Sequence, residues 1–271
     1  MFFFPMFSEP FMQRALLAAL FLGPLCAFLG VFVTARRMAF FSDTISHAAL
    51  TGVALGFWFG LSDPTWPMVF VSLLVAFAIM WLRENTELLT DTIMALLLSS
   101  SVAVGVIILS LLKNFRGELH SYLFGEILAI GPQEVWLAAG LFVVVTAALF
   151  ARLTSVTLLT AHEDMAQVCG VKVRRLNYLF VLVLTLAVAL SIRLLGIILV
   201  TALIVIPPAA ARGVSRNLRQ QIVFSLLFGV IGSVGGTLLS YQLDVPCGPA
   251  IVLTCVTLFL GSLLFGRTRK N

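Results

Sequence analysis

An aspartate and a histidine stand four residues apart in one of the most apolar parts of the chain. They are Asp43 and His47, within the segment SDTISHAALTGVALG at 42–56. On a helix, this spacing places both side chains on one face. A carboxylate and an imidazole together suit Zn²⁺, and also Mn²⁺ or Fe²⁺. The pair is therefore a candidate metal site or proton pathway.

A structural interpretation of the same residues is open as well. Asp43 and His47 would then hydrogen-bond to each other or to the nearby hydroxyls, and so fix helix packing. Those hydroxyls belong to Ser42, Thr44 and Ser46. Gly52 and Gly56 form a GxxxG pair in the same segment, a spacing that predicts close approach of another helix.

The composition shows what must position these residues. Of the 271 residues, 61% are hydrophobic and 11% charged, with a mean hydropathy of +1.10, which indicates an integral membrane protein. The first apolar run lacks a basic leader, so we expect it to stay in the mature protein. We predict an all-α, multi-pass bundle of eight or nine transmembrane helices. The apolar runs lie at 11–34, 38–60, 65–82, 92–112, 133–151, 176–192, 195–211, 220–240 and 249–266.

The positive-inside rule orients this bundle with its N-terminus outside and its C-terminus in the cytoplasm. The net charge of +5 then reflects topology and requires no nucleic-acid partner. With Glu134 at the outer end of its run, Asp43 is the only acidic residue, and His47 the only histidine, left within a predicted span. An ionisable residue within a span is by default a pathway residue. The inner side carries 13 of the 17 Lys and Arg residues, namely Arg36, Arg37, Arg83, Arg152, Lys172, Arg174, Arg175, Arg212, Arg216, Arg219, Arg267, Arg269 and Lys270.

The chain reads as a single transmembrane domain over 1–271 that is not an enzyme. It has no GxxxxGK[ST] phosphate loop, no HExxH and no GxSxG motif. Uphill transport would therefore take its energy from another polypeptide or from an ion gradient. The four cysteines show no CxxC spacing, and we expect them to pack as small apolar residues.

Two further segments carry information. The inner loop AHEDMAQVCGVKVRRLNYLF at 161–180 begins with acidic residues and reaches Gly170, a pattern that predicts a short helix. It is either an ordinary surface loop or a docking element for a cytoplasmic partner. In a later span, Pro207 and Pro208 interrupt helical hydrogen bonding, which is tolerated where backbone lines a cavity or packs against protein.

Five segments together resemble a known family. The chain is similar to the permease subunit of the bacterial zinc-uptake ABC transporter, within the wider family of zinc, manganese and iron permeases, over about residues 13–266. The likeness to the zinc permease rests on the segments at 119–132 and 244–252. The five segments are RRMAFFSDTISHAALTGVALG, LHSYLFGEILAIGP, EDMAQVCGVKVRRLN, LLGIILVTALIVIPPAAAR and DVPCGPAIVL.

The resemblance implies a function. The chain would be the multi-pass inner-membrane permease of an ATP-driven Zn²⁺ importer. It would pair with a second copy of itself, seat a cytoplasmic ATPase that binds the ATP, and receive metal from a periplasmic zinc-binding protein. No cofactor would be held permanently. Asp43 and His47 match the family's Asp-x-x-x-His pair and become the metal site.

The resemblance also assigns residues to the partners. The inner loop at about 153–177 becomes the coupling loop, with Glu163, Asp164, Ala166 and Gly170 in its coupling segment. Independently of the resemblance, the mixed charges of residues 113–134 on the outer side make His120 and Glu118 candidate contacts for the binding protein, with metal relay as the alternative role of His120. A manganese or iron importer of the same family is the alternative within transport. A proton-coupled carrier and an intramembrane enzyme are the alternatives outside the family.

Overall fold

The computed structural model describes residues 9–112, 125, 127 and 130–267. Within this part the chain forms a helical bundle without strands. The eleven α-helices are α1 (Pro10–Ala35), α2 (Ala39–Trp58), α3 (Thr65–Asn85), α4 (Thr90–Leu111), α5 (Pro132–Ala151), α6 (Leu153–Ala161), α7 (Glu163–Val168), α8 (Val173–Leu195), α9 (Ile197–Val214), α10 (Leu218–Leu243) and α11 (Cys247–Arg267).

Each predicted apolar run corresponds to one of the long helices. Eight of these helices have the length and apolar composition to cross a membrane, and the exception is α2. α2 has 20 residues, but its acid, imidazole and hydroxyl groups lower its hydropathy. The prediction of an all-helical membrane protein is confirmed. The runs at 176–192 and 195–211 correspond to α8 and α9, which Gly196 alone separates, and its φ of +81° favours glycine.

α1 lies at the centre of the bundle and packs closely against α10. Ser233 donates a hydrogen bond to the carbonyl of Ala19 at 2.9 Å, and Ser225 donates to that of Ala27 at 2.9 Å. Gly23 of α1 lies between them, and an added Cβ there would come within 2.9 Å of the carbonyl oxygen of Gly229. Small residues therefore let the two backbones approach, as in other membrane helix pairs.

α9 runs through Pro207 and Pro208 without ending, and both prolines are buried. Because Pro208 has no N–H, the carbonyl of Ile204 loses its helical donor. Gly30 of α1 packs directly on that carbonyl, where a larger residue would collide. The interrupted backbone thus packs against protein, one of the two predicted surroundings.

α2 is fixed by its neighbours on two sides. Gly52 and Gly56 lie against the first turn of α3, and a Cβ at Gly52 would come within 2.6 Å of the Cα of Met68, which confirms the predicted close approach. On the other side, Thr44 donates to the carbonyl of Met94 at 3.3 Å and Thr51 to that of Ser101 at 2.7 Å. Both bonds join residues 50 apart, so α2 and α4 run parallel in one register.

Ion pairs and hydrogen bonds group the helix ends as the topology predicts. Asp63 and Thr65, both assigned to the outer side, bond to Arg193. At the opposite end Arg36 bonds to Thr160 and Asn177. Which end faces the cytoplasm stays a prediction. All four cysteines are free; three are buried as expected, whereas Cys169 is exposed.

Candidate metal-transit site

Asp43 and His47 point to one place on α2, as their spacing predicts. The Oδ1 atom of Asp43 and the Nε2 atom of His47 are 3.8 Å apart, too far for a hydrogen bond. The side chains are 42% and 29% exposed, so both reach an accessible surface. Two ligand atoms at this separation can contact one ion that lies between them.

The pair lies on a stripe of α2 that its own chain covers only partly. Phe40, Asp43, His47 and Leu50 repeat at intervals of three and four and are all accessible, whereas the remaining faces of the helix are largely buried. We call these four residues the open stripe of α2. An accessible acid and imidazole on one stripe of a membrane helix favour a ligand over packing.

The neighbouring hydroxyls do not join the pair. Ser42, Thr44 and Ser46 are fully buried. Each donates to a carbonyl of the preceding turn, with Ser46 to that of Ser42 at 2.7 Å. These hydroxyls therefore stabilise α2 and its contact with α4.

The structure gives the pair no further strong ligand. In the described part of the chain, no group of three or more His, Cys, Asp and Glu side chains could hold a metal ion. His162 lies in the turn before α7, where it is exposed. His120 and Glu118, the predicted contacts for a binding protein, lie outside the described residues.

The predicted short helix in the inner loop is α7. Its first turn holds Glu163 and Asp164, whose carboxylates stabilise the positive end of the helix. It ends in a glycine motif, with Gly170 at φ +79° and the Val171 N–H donating to the carbonyl of Ala166 at 3.0 Å. The helix and its glycine end are confirmed, and its partner stays a prediction.

The faces of α7 differ in what they offer to a partner. Ala166 is fully buried against its own chain. Met165 is 57% exposed and Val168 85% exposed, so two apolar side chains project outward. These two residues were not predicted from the sequence. The signal that could have indicated them is the presence of isolated apolar residues in an otherwise acidic segment.

A partly buried polar cluster behind α7 was also missed. Arg36 donates from Nε to Oγ1 of Thr160 at 3.0 Å and from Nη1 to Oδ1 of Asn177 at 3.1 Å, and its guanidinium lies 4.2 Å above the Phe180 ring. Nδ2 of Asn177 lies 3.4 Å from Oε1 of Glu163. The Nη2 atom of Arg83 is 3.5 Å from Oε2 of Glu163. We call Arg36, Arg83, Thr160, Glu163 and Asn177 the inner polar cluster.

The comparison with family models agrees with this architecture. A family described as the ABC 3 transport family matches residues 8–266. The chain belongs to this family. It is also 34% identical to the "High-affinity zinc uptake system membrane protein ZnuB" of Haemophilus influenzae, over 94% of this chain and 97% of the relative.

Other relatives of the chain are named for other metals. The chain is 32% identical to the "Manganese transport system membrane protein MntC" of Halalkalibacterium halodurans, over 97% of this chain and 90% of the relative. Among solved structures, it is similar to a chain of "PsaBC from Streptococcus pneumoniae in complex with Fab". That match has a TM-score of 0.82 and 31% identity, and covers 94% of this chain and 91% of that one.

Proposed function

We propose that the chain is the membrane permease of an ATP-driven importer that carries Zn²⁺ from the periplasm across the inner membrane. The observation that carries this proposal is the Asp43–His47 pair on the open stripe of α2. It offers one oxygen and one nitrogen ligand at an accessible position within a helical membrane bundle. A zinc-uptake relative that aligns over almost the whole chain supports zinc as the substrate.

The small number of ligands suits transport. Structural zinc sites are closed by four strong ligands and hold their ion. A transported ion must bind well enough to enter and weakly enough to leave. With Ser42, Thr44 and Ser46 buried and bonded to carbonyls, the remaining ligands would be water or groups of a second permease subunit.

Energy would arrive through α7. We infer that a cytoplasmic ATPase seats Met165 and Val168, the exposed apolar residues of this helix, in a groove. Asp164 would lie at the rim, because it is exposed in the first turn. Ala166 would pack the helix onto the bundle, and Glu163 would hold it there through Arg83 and Asn177.

The cycle is alternating access by two permease subunits. ATP binding brings two ATPases together, and their motion reaches the membrane through α7. The outer gate opens beneath a zinc-loaded binding protein, and the ion moves to Asp43 and His47 as Zn²⁺ with a carboxylate and a neutral imidazole. Hydrolysis then resets the inner face. The permease itself catalyses no reaction.

Transport by reconstituted complexes tests this function. Proteoliposomes with the permease, its ATPase and its binding protein should take up zinc only with ATP, and Asp43→Asn should abolish uptake while leaving folded yield unchanged. Zinc uptake by the permease alone, driven by a proton gradient, would instead establish a carrier. Equal uptake by Asp43→Asn would remove the metal site.

A manganese or iron importer is the second candidate, because manganese and iron permeases are among the chain's relatives. The same proteoliposomes separate the two candidates when zinc uptake is measured with an excess of Mn²⁺ or Fe²⁺. Uptake that resists both competitors supports zinc. Replacement of zinc by either ion would reassign the substrate.

A further inference from the structure

A polar cavity lies behind α7, where residues of six helices and the turn between α1 and α2 meet. Its volume is about 260 Å³. One water molecule takes up about 30 Å³ in the liquid, so the cavity has room for a small oxyanion. The lining residues are Ala35, Arg36, Arg37, Met38, Arg83, Thr90, Leu159, Thr160, Glu163 and Asn177. We call this space the inner cavity.

Positive charge dominates the wall of the inner cavity. Three guanidinium groups line it, from Arg36, Arg37 and Arg83, against the single carboxylate of Glu163. The ion pair between Arg83 and Glu163 accounts for one of the three. Two positive charges of the wall are therefore not balanced by a carboxylate among the lining residues.

The guanidinium of Arg36 is only partly satisfied by its own chain. Its Nε and Nη1 atoms have acceptors, but its Nη2 atom is buried and has no acceptor in the described part of the chain. Burial, followed by the charge of Arg83, lowers the pKa of Arg36 to about 10, which still leaves it charged at neutral pH. A buried charge with an unused donor is costly unless an acceptor reaches it.

The wall also carries two neutral polar side chains and an exposed arginine. The Thr160 hydroxyl accepts from Arg36 and donates to the carbonyl of Val156 at 2.7 Å, and the Asn177 amide accepts from Arg36 and donates to Glu163. Arg37 is exposed, and its backbone has a φ of +57°, in the left-handed region that non-glycine residues rarely adopt. The tight turn between α1 and α2 thus places two consecutive arginines on one cavity.

We propose that the inner cavity binds a phosphate-class oxyanion, held by the guanidinium of the exposed Arg37, with the positive charge of the buried Arg36 beside it. A guanidinium fork matches the oxygens of phosphate, and such charge-assisted hydrogen bonds are among the stronger ones in proteins. The oxyanion comes either from free phosphate or from the headgroup of an anionic phospholipid, since the inner ends of the helices lie at headgroup level on the predicted topology.

Because Glu163 forms part of the same wall, the bound oxyanion lies beside the anchor of α7. It would offset the repulsion between Arg36 and Arg83 and hold α7 against the bundle. This consequence for coupling rests on the proposed function, whereas binding of the oxyanion does not. Binding is therefore tested without transport.

The test uses full-length permease in nanodiscs. In phosphatidylcholine discs, the thermal midpoint is measured against inorganic phosphate at constant ionic strength, with chloride as the reference. A second set of discs contains phosphatidylglycerol and no phosphate. A rise with phosphate identifies the free ion, a rise only with phosphatidylglycerol identifies the headgroup, and both rises identify a site open to either source. No rise in either set would overturn the proposal.

Two variants and one control place the site. Arg37→Gln changes an exposed residue and should remove most of the rise. Arg36→Lys keeps the positive charge beside the site and should therefore retain most of the rise. Arg216→Gln, an exposed arginine elsewhere on the predicted inner side, should leave the rise intact. A rise of equal size in Arg37→Gln and wild type would refute the assignment.

Discussion

The Asp43–His47 pair of the open stripe and the inner polar cluster are both groups of polar side chains in an apolar bundle. They differ in how many of their hydrogen-bonding groups find partners in the same chain. Asp43 and His47 are 3.8 Å apart without a hydrogen bond between them. In the cluster, by contrast, Arg36, Asn177 and Glu163 are linked in series and join α7 to the bundle. Incomplete satisfaction leaves room for an exchangeable ligand, whereas a linked network holds helices in place.

The largest expected effect is on the open stripe. His47→Leu removes the nitrogen ligand at little cost to an apolar helix, so zinc uptake should fall by on the order of 100-fold or more while the thermal midpoint stays unchanged. His162→Leu is the matched control, since His162 is exposed in the inner loop. Loss of folded protein in His47→Leu, rather than loss of uptake, would make the pair structural and remove the contrast.

The inner polar cluster should respond in the opposite manner. Glu163→Gln removes the carboxylate between Arg83 and Asn177, which should lower stability by about 1 kcal/mol, because the ion pair is partly exposed. It should also reduce the zinc transported per ATP several-fold, since α7 loses its anchor. Glu87→Gln, an exposed acid of the inner side, is the control. An unchanged ratio of zinc to ATP in Glu163→Gln would show that the anchor does not transmit motion.

Alanine substitutions at two glycines distinguish an effect of backbone strain from an effect on coupling to the ATPase. Gly170 and Gly60 both end helices at positive φ, +79° and +74°, and both face open space. Alanine at either position should cost about 1 kcal/mol, the penalty of a left-handed residue with a Cβ. Only Gly170→Ala should lower the ATPase rate that the permease supports, because Gly60 follows α2 at the other end of the bundle. Equal loss from both variants would point to a general effect on folding.

The smallest effect is expected at the outer end, where a carboxylate is satisfied but exposed. The Thr65 hydroxyl, above all, lowers the pKa of Asp63 below its ordinary value of 3.8. The bonds of Asp63 therefore stabilise the fold above pH 3.8, and this contribution is lost as the pH falls through the lower folded pKa. Asp63→Asn should remove that acid dependence from thermal unfolding and change the midpoint at neutral pH only slightly. A large change of the thermal midpoint at neutral pH would mean that the solvent exposure of a carboxylate does not limit its contribution to stability.

Local patterns in the sequence predicted most of the helices and the Asp43–His47 pair of the site. Apolar runs predicted the long helices, the spacing of Gly52 and Gly56 predicted the contact with α3, and the spacing of Asp43 and His47 predicted their shared face. The inner polar cluster could not be predicted, because Arg36 is 124 residues from Thr160 and 141 from Asn177. In a single sequence, each of these residues resembles an ordinary residue at the end of a helix.

The same distinction explains the prolines and the hydroxyls. Pro207 and Pro208 indicated an interrupted backbone. The sequence could not show that Gly30 covers the freed carbonyl of Ile204, because this contact depends on how α1 and α9 cross. Thr44 and Ser46 lie next to the pair in the sequence, yet they are buried and bond to carbonyls. Residues that are adjacent in a helix point their side chains in different directions, and the direction of a side chain decides whether it can be a ligand.

The low apolarity of α2 has a consequence for biosynthesis. An aspartate opposes insertion of a nascent helix, at a cost of about 2.5–3.5 kcal/mol at the helix centre and less toward its ends, and Asp43 is the fifth residue of α2. The contact of Gly52 and Gly56 with the start of α3 offers a solution, since the two helices can leave the translocon as one hairpin. A nascent chain stopped after α2 should therefore be extracted from the membrane by alkaline carbonate, and one extended through α3 should resist extraction. The residues proposed to carry the metal would then also set the order in which the helices enter the bilayer.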